Sequence, residues 1–143
     1  MITQRVPQGF YPDTRVILIH CPGETKNILS ADLVYVDYDG EEYTALAGLA
    51  TDGGSKPRIF WSLFGHPYDR FLPAYVIHDA MCERAWSMVV SGQAAEGWKA
   101  RKKADILFAR MLGFLGASRN TVKWYYKAVR IGAAWDFRGT GGR

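Results

Sequence analysis

The sequence predicts an α+β fold, in which a small antiparallel sheet from the N-terminal strands and a hairpin packs against three to four helices. Three observations lead there. Short β-branched runs bounded by turn residues occupy the first fifty residues. Apolar residues at helical spacing occupy residues 57–135. Between the two lies Thr51-Asp52-Gly53-Gly54-Ser55-Lys56-Pro57-Arg58, a glycine turn followed by a proline. Period two thus gives way to period 3.6 at one punctuated boundary. So small a sheet is marginal alone, and the helices are expected to cover its apolar face.

Arg15 to His20 is a β-branched run between Pro12-Asp13 and Pro22-Gly23 and predicts a strand buried on both faces. Leu33 to Tyr38 and Glu41 to Leu46 flank Asp39-Gly40, which predicts a hairpin with a two-residue type I′ turn. Its second strand is expected to continue through Leu46 and Leu49 into the glycine turn. Pro57 to Phe64 predicts a short helix stopped by Gly65 and Pro67. Asp69 to about Ser91 repeats Leu72, Tyr75, Val76, Ala85, Trp86 and Val89 at helical spacing, and Gly92 ends it. Glu96 to Leu115 turns Leu107, Phe108, Met111, Leu112 and Leu115 inward; Arg119 to Trp135 turns Val122, Tyr125, Tyr126, Val129 and Ala133 inward. The glycine-rich tail, residues 136–143, is expected to be loose.

With 143 residues and 48% hydrophobic content, the chain predicts one domain with a genuine core over residues 1–143. The composition is not that of a disordered chain. The formal charge of +4 permits contact with a polyanion but falls short of a basic stripe, so nucleic acid ranks low among expected partners. Cys21 and Cys82 have no framework or CxxC spacing, as in a reducing compartment. The N-terminus lacks the apolar segment of a secretory signal, and no run reaches the roughly 20 apolar residues of a membrane span. A soluble protein of a reducing, cytosolic compartment is the expectation, without a membrane partner.

Gly53 and Gly54 let the backbone turn, and Pro57 suits a first helical turn, so Ser55 and Lys56 are expected at a helix N-terminus. Unpaired N–H groups there, with Lys56 and Arg58 adjacent, could hold an anion. Asp52, Gly53, Gly54, Ser55, Lys56 and Arg58 are therefore candidate ligand-binding residues. The alternative is an ordinary turn in which Asp52 or Ser55 caps the helix.

His78-Asp79 interrupts an apolar stretch in the middle of a helix, and polar groups in such a stretch need partners. Helical spacing turns the two side chains apart, so only one need face the core. Asp105 shares a stripe with Arg101, Phe108 and Leu112, which puts a carboxylate among core residues. Arg130 and Arg58 are its candidate counter-charges. His78, Asp79 and Asp105 are the candidate catalytic residues, and Arg130 joins the ligand-binding set. His66, His78, Asp79 and Asp105 also supply the ligand types of a His/Asp metal site, for which a divalent metal would be the cofactor. Their order superficially resembles the H…HD…D pattern of HD-superfamily phosphohydrolases, although His66 lies in a Gly-His-Pro loop close to the HD pair. A structural ion-pair network would use the same residues. Neither Ser55 nor Cys82 lies in a nucleophile-elbow context, so no covalent mechanism is assigned.

Thr51 to Arg58, Trp61, Gly65 and Pro67, His78-Asp79, Asp105 with Phe108 and Met111, and Ala128-Val129-Arg130 with Gly132 together resemble a bacteriophage and prophage family catalogued as domain of unknown function 1353. The resemblance covers about Tyr43 to Gly132. It implies a phage or prophage origin, and it implies that Asp52, Ser55, Arg58, His78, Asp79 and Asp105 match the family's motif positions. Two departures stand in the loop: Gly54 where the family usually has Ala, and Lys56 where it usually has an apolar residue. It implies no activity.

The resulting expectation is a small phage-encoded protein whose glycine turn, HD helix and Asp105 form one polar pocket for a phosphorylated small molecule. Three classes stay open: a metal-dependent hydrolase, a non-catalytic binder of such a molecule or of a phage or host protein, and a structural virion component. Whether it is an enzyme, and its oligomeric state, stay open as well.

Overall fold

The computed structural model describes residues 6–11, 16, 18–20, 22, 27–51 and 70–140. The fold is α+β. Its strands are β1 (Gly9–Tyr11), β2 (Leu18–His20), β3 (Asn27–Leu29), β4 (Leu33–Val36), β5 (Glu42–Ala45) and β6 (Ala50–Thr51). Among the described residues three helices follow: α1 (Leu72–Val90), α2 (Ala94–Phe114) and α3 (Arg119–Asp136). The expected helix over Pro57 to Phe64 lies outside the described residues.

In place of one small sheet the described residues form two three-stranded antiparallel sheets, ordered β1-β4-β5 and β2-β3-β6. The chain changes sheet just after β5. Leu49 N–H donates to the Leu46 carbonyl, and the Asp32 carboxylate accepts from Ala47 N–H, at 3.2 and 2.7 Å. β6 then pairs with β3 through Asn27↔Thr51 and Ile28↔Ala50. The β5 strand therefore stops at Ala45 instead of running on through Leu49. β2 is not buried on both faces either, since Ile19 and His20 are exposed.

The β4–β5 hairpin forms where Asp39-Gly40 predicts it, with Val36 opposite Glu42. Its loop has a different size. Asp37 N–H donates to the Glu41 carbonyl, so the loop is Tyr38-Asp39-Gly40, and Gly40 takes φ +86°. This is the three-residue connection in which a left-handed glycine closes the turn. Asp39 lends an oxygen to Glu41 N–H, 3.0 Å away.

α1 packs on β4 and β5 and along α2, and α3 packs on α2, with its Tyr125 ring also meeting Phe71 and Tyr75. The core between them contains Leu33, Tyr35 and Ala45 from the sheet, with Val76, Ile77, Leu107, Phe108, Met111 and Tyr125 from the helices. Of the inward faces read from spacing, Tyr75, Val76, Ala85, Leu107, Phe108, Met111, Leu112, Tyr125 and Ala133 are buried. Trp86 is instead 45% exposed. Ser118 caps α3 by accepting from Thr121 N–H.

At Gly97 α2 approaches α1 so closely that a Cβ would lie 2.5 Å from Val89 Cγ2 and 2.8 Å from the Ala85 carbonyl oxygen. Gly97→Ala should therefore destabilise by about 1 kcal/mol net. Overpacking costs about 1–3 kcal/mol, and better helix propensity returns about 1 kcal/mol. A thermal melt checks this, and a raised melting temperature would show that the helices part freely.

The C-terminal segment differs from expectation as far as Thr140. Phe137 is buried between Trp86 and Trp98, with ring centroids 5.6 and 5.1 Å away. Trp98 Nε1 donates to Thr140 Oγ1 at 2.8 Å. Two large rings thus tie down a stretch whose glycines suggest freedom.

Candidate functional site

His78 and Asp79 do diverge. Adjacent residues on a helix point about 100° apart, and here His78 turns into the core while Asp79 is half-buried. The Asp79 carboxylate accepts from the Thr51 hydroxyl. That bond links α1 to the end of β6, just before the Asp52-Gly53-Gly54 stretch of the sequence.

Asp105 is completely buried on α2. Its Oδ1 accepts from His78 Nε2 at 2.7 Å and from Arg101 Nε at 3.1 Å; its Oδ2 accepts from an Arg130 guanidinium nitrogen at 2.8 Å. Arg101 is buried too. It also donates to Asp136 at 3.0 Å and to the Val129 carbonyl at 3.3 Å, which joins α2 to the C-terminal half of α3. No buried side-chain nitrogen or oxygen among the described residues lacks a partner. A buried ionic group is tolerable only when satisfied in this way.

Burial, the largest single influence on His78, works against its protonation. The neighbouring Cys82 sulfur and the Asp105 carboxylate together outweigh it and raise the His78 pKa from 6.5 to about 10. Arg101 is likewise opposed by burial and held charged by Cys82, Asp105 and Asp136. The floor of the site is therefore a carboxylate clasped by an imidazolium and two guanidiniums.

Above it a cleft of about 530 Å³ is lined by Thr51, Asp79, Cys82, Arg101, Trp135 and Asp136, with Ala50, Glu83, Trp86, Phe137 and Arg138 completing the wall. His78 and Asp105 lie beneath this lining, and Arg101 connects the two levels. The volume suits a small-molecule site. Of the expected trio only Asp79 lines the cleft; His78 and Asp105 pair beneath it, and Arg130 is a counter-charge of Asp105. Asp52, Gly53, Gly54, Ser55, Lys56, Arg58 and His66 lie outside the described residues.

Arg101, Asp136 and the aromatic residues of the cleft are site residues that the sequence reading leaves out. For Arg101 a signal existed, because Arg101 and Asp105 are four residues apart and so adjacent on one helix face. Asp136 and Phe137 gave none, since their roles depend on where α3 ends in space. A second buried carboxylate is likewise missing from the sequence reading. Asp37 accepts from the Tyr35 hydroxyl at 3.0 Å and from Arg110 at 2.7 Å, pinning the hairpin to α2.

Among the described residues, His78, Cys82 and Asp105 offer possible metal-ligand atoms within 4.8 Å of one another. The sulfur lies 3.5 and 3.8 Å from the two imidazole nitrogens. A cation at Asp105 would face Arg101 and Arg130 at close range, and a protonated His78 has no lone pair to give. Asp79 falls outside this group because its carboxylate is turned to Thr51.

The family model described as Protein of unknown function (DUF1353) matches residues 28–129. The chain belongs to this family. The match begins in β3, takes in the HD helix and Asp105, and ends one residue before Arg130. Two curated relatives come from Sinorhizobium fredii (strain NBRC 101917 / NGR234). "Uncharacterized protein y4jT" is 33% identical over 84 residues, covering 51% of this chain and 25% of the relative. "Uncharacterized protein y4iH" is 36% identical over 69 residues, covering 47% and 29%. The matched stretch therefore spans under a third of either relative's length. No solved structure matches the chain.

Proposed function

We propose that this member of the DUF1353 family binds a small phosphorylated ligand of nucleotide type, with its ring portion in the cleft and its phosphate toward the Gly53-Gly54-Ser55-Lys56 loop. The observation that carries the reading is the make-up of the cleft. Trp86 and Trp135 offer aromatic walls, Asp79, Glu83 and Asp136 offer acceptors, and Arg101 offers a donor. Carboxylates suit the hydroxyl and amino groups of a sugar or base and repel phosphate. The phosphate is assigned instead to Lys56 and Arg58, which follow Thr51 in the chain and add two positive charges to a glycine turn. Asp105 acts as a positioning residue, since it holds Arg101 at the cleft floor. A phage or prophage origin belongs to the same reading and rests on the resemblance of the motifs.

Nucleotide at about one hundred times its Kd should stabilise the fold by about 2.7 kcal/mol. For a domain of this size that corresponds to a rise in melting temperature of about 5–10 °C. Inorganic phosphate alone should give a smaller rise. Lys56→Ala with Arg58→Ala should remove the phosphate-dependent part and leave the fold intact. A panel of nucleotides and free phosphate at millimolar concentration that shifts nothing would overturn the reading and turn attention to a protein partner or a virion role.

Metal-assisted hydrolysis of such a ligand is the second reading, favoured by the closeness of His78, Cys82 and Asp105. It requires a divalent ion to displace a guanidinium from Asp105. Metal retained through purification, and lost in His78→Ala, would support it over simple binding.

A further inference from the structure

α3 carries a second surface, separate from Asp105. Only Tyr125 and Ala133 of this helix are fully buried, while Trp124, Ile131 and Trp135 are 53%, 66% and 65% exposed. Steps of seven and four residues set these three on one line of the helix, roughly 16 Å long at about 1.5 Å per residue. Lys127 Nζ lies 4.9 Å from the centre of the Trp124 ring and the Arg138 guanidinium 3.9 Å from that of Trp135. Lys123 is exposed as well and, four residues before Lys127, shares its flank of the helix. From Ile106 to Trp135 the chain contains no Asp or Glu, whereas Arg119, Lys123, Lys127 and Arg130 all fall on α3. Arg130 is engaged by Asp105; the other three make no ion pair among the described residues.

We propose that this stripe docks the protein on an anionic lipid surface, with α3 lying parallel to the membrane plane. Trp124, Ile131 and Trp135 would enter the interfacial region, and Lys123, Lys127 and Arg138 would meet the headgroup phosphates. Tryptophan and long cationic side chains are the residues that bridge apolar and wet layers. A helix with apolar and cationic faces of this kind lies in that interface. Ile131, at the centre of the stripe, decides for lipid over nucleic acid: a saturated side chain gains by leaving water but has no π face on which a base could stack. None of the described helices is long and apolar enough to cross a membrane, so the mode is surface docking. Trp135 also borders the cleft, which would bring the cleft mouth to the lipid surface. The inference does not depend on the ligand proposed above.

Flotation of the full chain with vesicles tests it. Vesicles of phosphatidylcholine mixed with phosphatidylserine should bind at least about tenfold more protein than phosphatidylcholine alone, since each cation near an anionic surface adds to the attraction. The preference should collapse between about 0.1 M and about 1 M salt, as the Debye length shrinks from about 10 to about 3 Å. Tryptophan emission should shift to the blue on binding. Trp124→Ser with Ile131→Ser, both at exposed positions, should keep the melting temperature and lose at least about tenfold in binding. Lys123→Glu with Lys127→Glu should erase the preference for anionic vesicles. The proposal fails if anionic vesicles do not bind, or if the serine variant binds as well as the parent. It fails equally if single-stranded DNA binds more tightly than vesicles, which would make the stripe a nucleic-acid surface. Sedimentation showing a dimer that buries Trp124 would overturn it too, making the stripe an interface between copies.

Discussion

Asp105→Ala should lose about 3–5 kcal/mol of folding stability, the usual result of removing one partner from a buried ionic cluster. The loss comes less from the missing bonds than from what remains. His78, Arg101 and Arg130 would be left around a cavity with no carboxylate, and Arg101 and His78 have almost no access to water. Asp105→Asn should cost less, because its amide keeps one acceptor oxygen while losing the charge. Urea unfolding of the two variants measures both values. A carboxylate kept for ligand chemistry rather than for the fold would give the opposite result, with stability unchanged or improved. A loss below about 1 kcal/mol would therefore shift Asp105 from scaffold to reacting group.

The second large effect is a fall in stability on the alkaline side. The pKa of His78 is raised from 6.5 to about 10 in the folded protein. A group whose folded pKa lies above its unfolded value binds its proton more tightly when folded. Its contribution is complete below pH 6.5 and disappears as pH rises toward about 10. A tenfold gain in proton affinity on folding is worth about 1.4 kcal/mol, so the full contribution is on the order of a few kcal/mol. The groups facing the imidazole set the sign: Cys82 one turn along α1, and Asp105 across from it on α2. Chemical denaturation across this range should show the decline in the parent protein. In His78→Gln that part of the pH slope should vanish. A parent profile flat over the same range would mean that the imidazole is neutral in the folded state.

The ion cluster behind both effects is electrostatic scaffolding beneath the cleft. Asp105 and His78 are too deeply covered to touch a ligand as the fold stands. Their influence on the cleft runs through Arg101, whose direction they set. Asp79 has the complementary position, half-buried, lining the cleft and tied to Thr51 at the end of the sheet. The HD dipeptide thus serves two levels of one structure, one residue on each.

By itself the sequence determined the α+β order, the three long helices, the hairpin at Asp39-Gly40 and the need of Asp105 for a buried cation. These are local properties. Helical periodicity, a left-handed turn residue and a carboxylate on an apolar stripe are each written within a few turns of chain, and physics allows few alternatives. Only the tertiary structure decided that Arg101 joins Arg130 on Asp105 and that His78, not Asp79, is the HD residue that meets it, that the strands split into two sheets at Leu46–Leu49, and that Phe137 and Asp136 line the cleft. Each of these depends on elements far apart in sequence meeting at a definite angle. Spacing along one helix says which side chains share a face; it does not say which face of another helix will be opposite. At Asp105 the choice among cations was made by the packing of α1, α2 and α3, because a buried charge takes every donor that packing brings within reach.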